Sequence, residues 1–506
     1  MAFTVSQLDA QIPTFIKHHG TPGDDEARFV EVLPDNSFIV AGSSTEGGLG
    51  GKDAMLVKFR ADGTVEWSKA YGGPGDEFFM HILACSDGNY IAVGETNSFG
   101  AGNVDIYVVK FDGKGDVVWV RTCGGAGIET ARGICEVSNG YILSGATQSF
   151  GVGSWDIFVE KLNFGGNSLW SKAFGGGGGD VAGEVGPAAN GEAWVSGFVF
   201  VSSGNHDAVL FKLASNGNLL LARRASAFSN DGFAGLSEVS NGLVACGGTS
   251  SFSGDSPWVV NFNTTGALVW AKRYPISGVI FDLYAEPCPD GGLILTPSNF
   301  VGEDTDGSIL IKTNEVGIVT WSMKYSYGSK GKMWRTVPSP DGGYVAVGYC
   351  YGKGRDMLVF KTDADGFIRE CSPTDAGITA IAITPGAVAF SPVTSTGPSA
   401  GAPAAEDQSV ALTETIICDL VSTVSQDPSL VLSLVPNPTS SVFRFLSSEQ
   451  IPLDIRIFDS AGRLCFTSKT QTNQDVEPPN RLSSGMYIVY VTASDGRVRQ
   501  FRMARE

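Results

Sequence analysis

Charged side chains are scarce in this chain of 506 residues, at 17% of the total. Basic residues are the scarcer kind, because 35 Lys and Arg stand against 53 Asp and Glu, which gives a formal net charge of −18. Nucleic-acid binding needs a surplus of Lys and Arg on some face, so no nucleic-acid partner is expected. No run of 18 apolar residues occurs either, and no transmembrane segment is predicted.

Residues that hold metals or act as nucleophiles are few and scattered. The four histidines form no Ser-His-Asp set and no metal triad that the sequence can assemble. The nine cysteines include no CxxC pair, which argues against a zinc site. The acid-rich turns 112–116 and 363–366 lack the further ligands of an EF-hand loop. We therefore predict no catalytic residue, no metal and no cofactor.

Glycine, by contrast, is abundant, with 66 residues. Together with many Val, Ile and aromatic residues, this number is typical of short strands joined by tight turns. The sequence also repeats itself at about 51 residues. Eight equivalent positions lie 49 to 52 residues apart, and they are Phe15, Trp67, Trp119, Trp170, Leu221, Trp270, Trp321 and Cys371. A glycine series with the same period is Gly42, Gly94, Gly145, Gly197, Gly247 and Gly348.

Each repeat is predicted to form four antiparallel strands. In residues 77–123, alternating apolar residues and the Asp-Gly turns at 87–88 and 112–113 divide the repeat into four such segments. Repeats of this length with four short strands are typical of propeller blades. The sequence thus predicts an all-β protein whose residues 1–371 form a seven-bladed β-propeller. The strand around Phe15 is expected to close the last blade, since an open ring would leave exposed sheet edges.

The composition changes after Cys371. No Lys or Arg occurs between Arg369 and Arg444, and Ser, Thr, Pro and Ala dominate the beginning of this stretch. We interpret residues 372–430 as a spacer, with a possible strand in 411–419. Cys371 and Cys418 flank it, and the sequence is equally compatible with a disulfide between them and with two reduced thiols.

Residues 431–506 return to alternating strand patterns and are predicted to form a small antiparallel, Ig-like β-sandwich. Three spaced motifs occur in this part, and their residues are Pro436, Asn437, Pro438, Gly462, Arg463, Gly485 and Tyr487. Their order resembles the C-terminal sorting domain of type IX secretion substrates from Bacteroidetes-type bacteria. The propeller repeat is also similar to one found in secreted proteins with that domain.

The resemblance implies recognition by the outer-membrane type IX secretion machinery, removal of the tail, and release or attachment at the cell surface. Such proteins carry an N-terminal signal peptide. Residues 1–16 have neither a basic start nor an apolar segment. Either the true start lies upstream of Met1 or the chain does not reach the periplasm, and we favour an upstream segment.

Residues that depart from the repeat are the candidates for function, since residues shared by all blades are expected to be scaffold. Blade seven departs most, with basic and aromatic residues in two loops that should share one rim. They are Lys330, Lys332, Trp334, Arg335, Tyr349, Tyr351, Lys353 and Arg355. Aromatic rings stack on sugars, and Lys and Arg bind carboxylates or sulfates, so this patch is a candidate site for an acidic glycan or protein ligand.

The sequence therefore predicts a non-catalytic, exported, monomeric propeller that binds a glycan or a protein at the cell surface. The alternative is a secreted carbohydrate-active enzyme that uses carboxylates on the propeller face, for which Asp76, Glu77, Glu129 and Asp180 are available. Two carboxylates converging across a pocket at about 5–10 Å would favour the enzyme. The alternative explanation of the blade-seven patch is ordinary surface charge in a degenerate terminal blade. A third interpretation, a purely structural surface or matrix component, predicts a smooth rim without a pocket.

Overall fold

A computed structural model of the chain describes residues 13–48, 50–202, 204–226, 229–250, 256–276, 280–299, 307–326, 329–352 and 354–368. Beyond residue 368 it describes the strands given below and the segments 450–451 and 472–474. The chain divides into two compact units. The first contains Met1–Ile368 and Pro373–Ile416, and the second contains Arg369–Ser372 and Ile417–Glu506.

The first unit consists of seven antiparallel sheets, one for each predicted repeat. The chain begins with β1 (Phe15–Gly20). Blades 1 and 2 consist of β2 (Asp25–Val32), β3 (Phe38–Ser44), β4 (Asp53–Phe59), β5 (Val65–Gly72), β6 (Glu77–Ala84), β7 (Tyr90–Thr96), β8 (Asp105–Phe111) and β9 (Val117–Cys123). Blades 3 and 4 consist of β10 (Glu129–Val137), β11 (Gly140–Thr147), β12 (Asp156–Leu162), β13 (Ser168–Gly175), β14 (Val181–Pro187), β15 (Ala193–Ser202), β16 (Asn205–Leu213) and β17 (Leu219–Ser226). A 3₁₀ turn at Ala189–Gly191 precedes β15.

The remaining three blades follow the same plan. Blades 5 and 6 consist of β18 (Gly235–Val239), β19 (Gly242–Thr249), β20 (Ser256–Asn263), β21 (Leu268–Arg273), β22 (Ile280–Pro287), β23 (Leu293–Asn299), β24 (Ser308–Thr313) and β25 (Val319–Tyr325). Blade 7 has β26 (Gly331–Pro338), β27 (Tyr344–Tyr351) and β28 (Arg355–Thr362). Its fourth strand is β1, which pairs with β28 in antiparallel register from Phe15 opposite Lys361 to His19 opposite Met357.

The repeating aromatic position explains how neighbouring blades pack. The ring of Trp119 in blade 2 lies over Gly166 in a turn of blade 3, where a Cβ would come within 3.0 Å of the indole. The indole Nε1 donates to the carbonyl of Phe164 in the same turn. At all seven junctions the side chain at this position packs over a glycine of the next blade, and the pairs are Phe15–Gly63, Trp67–Gly115, Trp119–Gly166, Trp170–Gly217, Leu221–Gly266, Trp270–Gly317 and Trp321–Gly366. These glycines have φ between 72° and 80°, which other residues rarely adopt.

Each blade places its first strand nearest the ring axis. The seven first strands contact one another in sequence, and the series closes because β26 also contacts β2. In several of these strands one residue is bulged out of register, and Arg28, Arg132 and Trp334 occupy that position in β2, β10 and β26. A bulge re-aims the side chains beside it, and Arg28 and Trp334 belong to the candidate site.

Within the segment expected to be a spacer, six short strands pair with the outer edges of the blades. They are β29 (Thr374–Asp375), β30 (Ile381–Ala382), β31 (Gly386–Ala389), β32 (Val393–Thr396), β33 (Glu406–Ser409) and β34 (Thr413–Ile416). We call β29–β34 the strap. Its strands pair, in chain order, with the outermost strands of blades 6, 5, 4, 3, 1 and 7. Among the described residues, blade 2 has four strands and no strap strand.

The second unit consists of two small antiparallel sheets. Its strands are β35 (Ser433–Val435), β36 (Phe443–Leu446), β37 (Pro452–Phe458), β38 (Leu464–Gln471), β39 (Asp475–Val476), β40 (Gly485–Ala493) and β41 (Val498–Arg505). The strands β35, β36 and β39 form one sheet, and the other four form the second. Phe445 from the first sheet and Ile455 and Val489 from the second belong to one buried apolar cluster, as in a sandwich.

The predicted fold class is confirmed: the protein is all-β, with a seven-bladed propeller of four-stranded blades and a small C-terminal β-sandwich. No helix among the described residues is long and apolar enough to cross a membrane.

Candidate functional site

Buried carboxylates recur at the junctions between blades, on the rim where the first strands begin. At one junction a Cβ on Gly175 would lie 2.3 Å from Oδ1 of Asp156 and 2.5 Å from Oδ2 of Asp180. Only glycine leaves room for two carboxylates to approach the backbone this closely. Among the described residues the pattern occurs four times, with Asp356 and Asp25 at Gly20, Asp53 and Glu77 at Gly72, Asp105 and Glu129 at Gly124, and Asp156 and Asp180 at Gly175.

The second carboxylate of each pair also orders the loop between two blades. Glu77 accepts hydrogen bonds from the backbone N–H of Gly73 at 2.8 Å and from the Thr96 hydroxyl at 2.7 Å. Glu129 makes the same two contacts one blade later, with Gly125 and Thr147. Both carboxylates are fully buried. The carboxylates available for glycosidase chemistry at Glu77, Glu129 and Asp180 are thus held inside the scaffold.

A second cluster of charged groups lies at the ring axis. Arg335 of blade 7 donates from Nη1 to Oε1 of Glu184 in blade 4 at 2.6 Å, and its Nη2 contacts Oε1 of Glu286 in blade 6. Its guanidinium carbon lies 4.5 Å from the ring centroid of Phe29 and 4.8 Å from that of Tyr284. Arg335 is only 5% exposed. The axial cluster therefore ties together blades that are not neighbours.

The charge state of the axial cluster follows from burial and from these pairs. Burial alone would lower the pKa of Arg335, but Glu184 and Glu286 outweigh it, and the net direction is upward, so the guanidinium stays charged. Burial lowers the pKa of His81 well below its usual value, and Arg335 adds to this effect. Burial, with repulsion from Glu286, raises the pKa of Glu31 to about 7. The axis therefore holds the charged guanidinium of Arg335 beside Glu31 and Glu286, two carboxyl groups whose pKa burial raises to about 7.

The rim of blades 7 and 1 carries the aromatic and basic side chains that the sequence pointed to. Trp334 donates from Nε1 to Oε1 of Glu26 at 2.8 Å. The Lys332 ammonium lies 3.6 Å from the ring centroid of Trp334, and the Arg28 guanidinium carbon lies 4.1 Å from it. Contacts of this length are cation–π interactions. Trp334 is thus a buried platform on which two cations are fixed.

A second aromatic group lies beside this platform. The Arg355 guanidinium carbon lies 4.8 Å from the ring centroid of Tyr349 and 5.7 Å from that of Tyr351. Its Nε donates to the Tyr351 hydroxyl at 3.3 Å, and its Nη1 lies 3.8 Å from Oε2 of Glu26. The Arg355 side chain is 37% exposed, and Tyr351 is 38% exposed. This pair therefore presents a stacked guanidinium and an aromatic ring to solvent.

Glu26 is the common counter-charge of this region. Its carboxylate accepts from Trp334, pairs with Nε of Arg28 at 3.0 Å, and faces Arg355. We define the rim patch as Glu26, Arg28, Lys330, Lys332, Trp334, Tyr349, Tyr351 and Arg355. Four of its side chains are basic and one is acidic, and beside them Asp24 accepts a hydrogen bond from the Arg355 backbone N–H at 2.9 Å. Salt does little to screen a charge pair as buried as Glu26 with Arg28.

The structure divides the predicted ligand-binding residues into three groups. Lys330, Tyr351 and Arg355 have exposed or half-exposed side chains at the rim, while Lys332, Trp334 and Tyr349 are buried beneath them. Arg335 belongs to the axial cluster and not to the rim patch. Lys353 lies outside the described residues.

Sequence reasoning missed Glu26 and Arg28, which complete the rim patch, and Glu184 and Glu286, which hold Arg335. A signal for the first pair was available, because Arg28 occupies the same bulge position as Trp334 and lies one repeat from it around the ring. Contacts across the axis leave no signature in a repeat alignment.

The predicted motifs of the C-terminal part are unevenly covered. Gly485 and Tyr487 lie in β40. Pro436, Asn437, Pro438, Gly462 and Arg463 lie outside the described residues, and so do Cys371 and Cys418 of the predicted disulfide. Six described cysteines are buried free thiols, and they are Cys85, Cys123, Cys135, Cys246, Cys288 and Cys350. Among the described residues, no group of three or more His, Cys, Asp and Glu side chains is placed to hold a metal ion.

The seven blades and the small sandwich define the protein as a β-propeller with an appended C-terminal domain. Among the side chains described above, none converge as a catalytic set would. Residues 433–501 match the family described as the secretion system C-terminal sorting domain. The chain therefore carries a type IX sorting domain behind its propeller, and this domain implies interaction with the secretion machinery.

Similarity to individual proteins is weak. The regulatory protein FlaEY of Caulobacter vibrioides is 24% identical over 175 residues, which cover 29% of this chain and 18% of that protein. The chain thus spans less than a fifth of this relative's length.

Among solved structures, PorZ of Porphyromonas gingivalis is described as an essential bacterial surface component of the type-IX secretion system. It is 12% identical with a TM-score of 0.31, covering 96% of this chain and 75% of that one. Sqt1 from Chaetomium thermophilum is 12% identical with a TM-score of 0.40, covering 70% of this chain and 99% of that one. Such similarities carry no functional information.

Proposed function

We propose that this protein is exported by the type IX machinery, displays its propeller at the cell surface, and binds an anionic polysaccharide through the rim patch. The matched sorting domain supports the export step. The binding step rests on one observation: Arg355, stacked on two tyrosines, is half exposed in the rim patch beside the exposed ring of Tyr351. An arginine fixed in this way loses little conformational entropy when it binds a carboxylate or sulfate.

The exposed groups of the rim patch favour an anionic glycan over other anions as the ligand. Tyr351 exposes an aromatic ring next to the Arg355 guanidinium, and a sugar ring can stack on the former while its carboxylate or sulfate pairs with the latter. Lys330 is exposed on the same loop system. The axial cluster is not part of this proposal, because Arg335 already has two carboxylate partners.

The binding test uses the full chain on columns of a carboxylated polysaccharide, a sulfated polysaccharide and neutral dextran. We expect retention on one or both charged columns and none on dextran. The double variant Lys330→Ser with Arg355→Ser should lose that retention. The matched control is Arg60→Ser with Lys114→Ser, two exposed basic residues in turns on the opposite rim, which should be retained like the wild type. Equal retention of both double variants would show that the rim patch does not bind the polysaccharide. If the full chain captured an acidic protein and was retained on neither charged column, the ligand would be a protein and not a glycan.

The export test places the same N-terminal signal peptide before the full chain and before a chain that lacks residues 433–506, and it follows the propeller in cells. The full chain should be reached by external protease on intact cells, and the truncated chain should not. A truncated chain that still appears outside would contradict export through the sorting domain, whatever the outcome of the glycan columns.

A further inference from the structure

The strap runs around the propeller in the direction opposite to the blades. In chain order the strap strands pair with blade 6, then with blades 5, 4 and 3, and finally with blades 1 and 7. Each of these pairings is antiparallel, and each adds a fifth strand outside the fourth. The strap thus covers part of the outer edge of six blades. Without it these edges would be open for pairing with other chains.

The strap strands bind the same part of each blade. Val393–Thr396 pairs with the end of β13, from Gly175 to Lys172, and Glu406–Ser409 pairs with the end of β5, from Gly72 to Lys69. Gly175 and Gly72 are the glycines between the paired carboxylates. The strap thus lies against the outer strands where each blade is joined to the next.

The last strap strand has a particular position. Its residues Thr413–Ile416 pair with Gly20–Lys17 of β1, and β1 pairs on its other side with β28. β1 is the short strand that closes the ring, since it belongs to blade 7 and leads directly into blade 1. Without β34 it would be an edge strand, and with β34 it is an interior strand held from both sides.

We propose that the strap is a latch that keeps the propeller ring closed, with the pairing of β34 on β1 as its catch. Release of β34 turns the closing strand into an edge, and edge strands open at lower free energy than interior ones. The closed ring thus depends on chain beyond the seven repeats, as far as Ile416. This inference does not depend on the ligand of the rim patch.

The test is a proline scan of the catch in the full chain, at Thr413, Glu414, Thr415 and Ile416. In an antiparallel pair every second residue directs its N–H to the neighbouring strand, and proline has no N–H to donate. Two of the four variants, at alternate positions, should therefore release the catch, while the other two serve as matched controls. Hydrogen exchange measured by mass spectrometry should become roughly tenfold faster or more in residues 15–20 of the two released variants.

The exchange pattern decides the outcome. Faster exchange confined to β1 and β28, with β7 of blade 2 unchanged, supports the latch. Unchanged exchange in residues 15–20 for all four variants overturns it, and so does a uniform increase over all blades, which would indicate a general loss of stability.

A covalent catch tests the same idea in the opposite direction. Lys17 and Ile416 are opposite each other in the register, so Lys17→Cys with Ile416→Cys can form a disulfide across the two strands. The oxidised full chain should unfold roughly tenfold more slowly or more than its reduced form. Each single cysteine variant is the control for the native thiols. Equal unfolding rates of the oxidised and reduced double variant would overturn the latch.

Discussion

Arg335 in blade 7 and Glu184 in blade 4 are 151 residues apart in the sequence and are joined by a hydrogen bond of 2.6 Å. Both side chains are almost fully buried, at 6% and 5% exposure. A charge pair so deeply buried contributes little net stability compared with apolar residues of the same shape, but breaking one side of it is costly. The ring axis is therefore a place where single substitutions should have large effects.

Replacing Arg335 by Met should destabilise the propeller by about 3–5 kcal/mol, because Glu184 and Glu286 are then left without their cation. Denaturant unfolding followed by tryptophan fluorescence measures this change. Arg60→Met, at an exposed turn, should stay within about 0.5 kcal/mol of the wild type. The triple variant Arg335→Met, Glu184→Gln, Glu286→Gln should recover much of the loss, and a single Arg335→Met variant as stable as the wild type would disprove the ionic role of the cluster.

Glu160 in β12 should make stability depend on pH. Burial raises its pKa from the ordinary value of 4.5 to about 7, and the Ser168 hydroxyl and Cys123 thiol oppose this only in part. The folded protein thus binds a proton more tightly than the unfolded chain does. The stabilisation from this group is complete below about pH 4.5 and is lost as the pH rises through about 7.

Thermal unfolding between pH 5 and pH 8.5 checks this sign. Glu160→Gln is neutral at every pH, so it should be more stable than the wild type at pH 8.5, by about 3 kcal/mol at most, and should show a flatter pH profile. Other groups raised to about 7, such as Glu31 and Glu95, remain in both proteins. A wild type whose melting temperature rises with pH over this range would contradict the assignment.

The parts of the fold that could be predicted are those that repeat. Trp119 meets Gly166 in the next blade because both occupy fixed positions in a 51-residue period, and the same geometry is imposed seven times. The rim patch was found in part because Trp334 and Arg355 break that period.

What does not repeat could not be predicted. Arg335 lies next to Trp334 in sequence, yet the bulge at Trp334 directs the two side chains to different neighbours, one to the axis and the other to the rim. The strap strands have only two to four residues each, too few for an alternating pattern to stand out from a polar linker. Their stability comes from edges that exist only once the blades have folded.

Glu26 should limit how strongly the rim patch binds anions, because it neutralises Arg28 and Arg355 in the free protein. Glu26→Gln keeps a carbonyl oxygen for the Trp334 Nε1 donor and removes the negative charge. The variant should bind the polysaccharide that retains the wild type roughly tenfold more tightly at low salt, and the gain should shrink as salt is added. Isothermal titration calorimetry at two salt concentrations measures both effects, and weaker binding of Glu26→Gln would show that Glu26 itself contacts the ligand.

Gly175 should tolerate no side chain, because a Cβ there would overlap the carboxylates of Asp156 and Asp180 at 2.3 and 2.5 Å. Gly177, two residues further on, has nothing within 4 Å of the same position. Gly175→Ala should therefore cost about 1–3 kcal/mol, the usual range for overpacking, whereas Gly177→Ala should be close to neutral. Because both substitutions replace a glycine by alanine, their effects on the unfolded chain cancel in the comparison. Chemical denaturation of the two variants measures the difference, and equal stabilities would mean that the paired carboxylates can move apart without cost and do not fix the junction between blades 3 and 4.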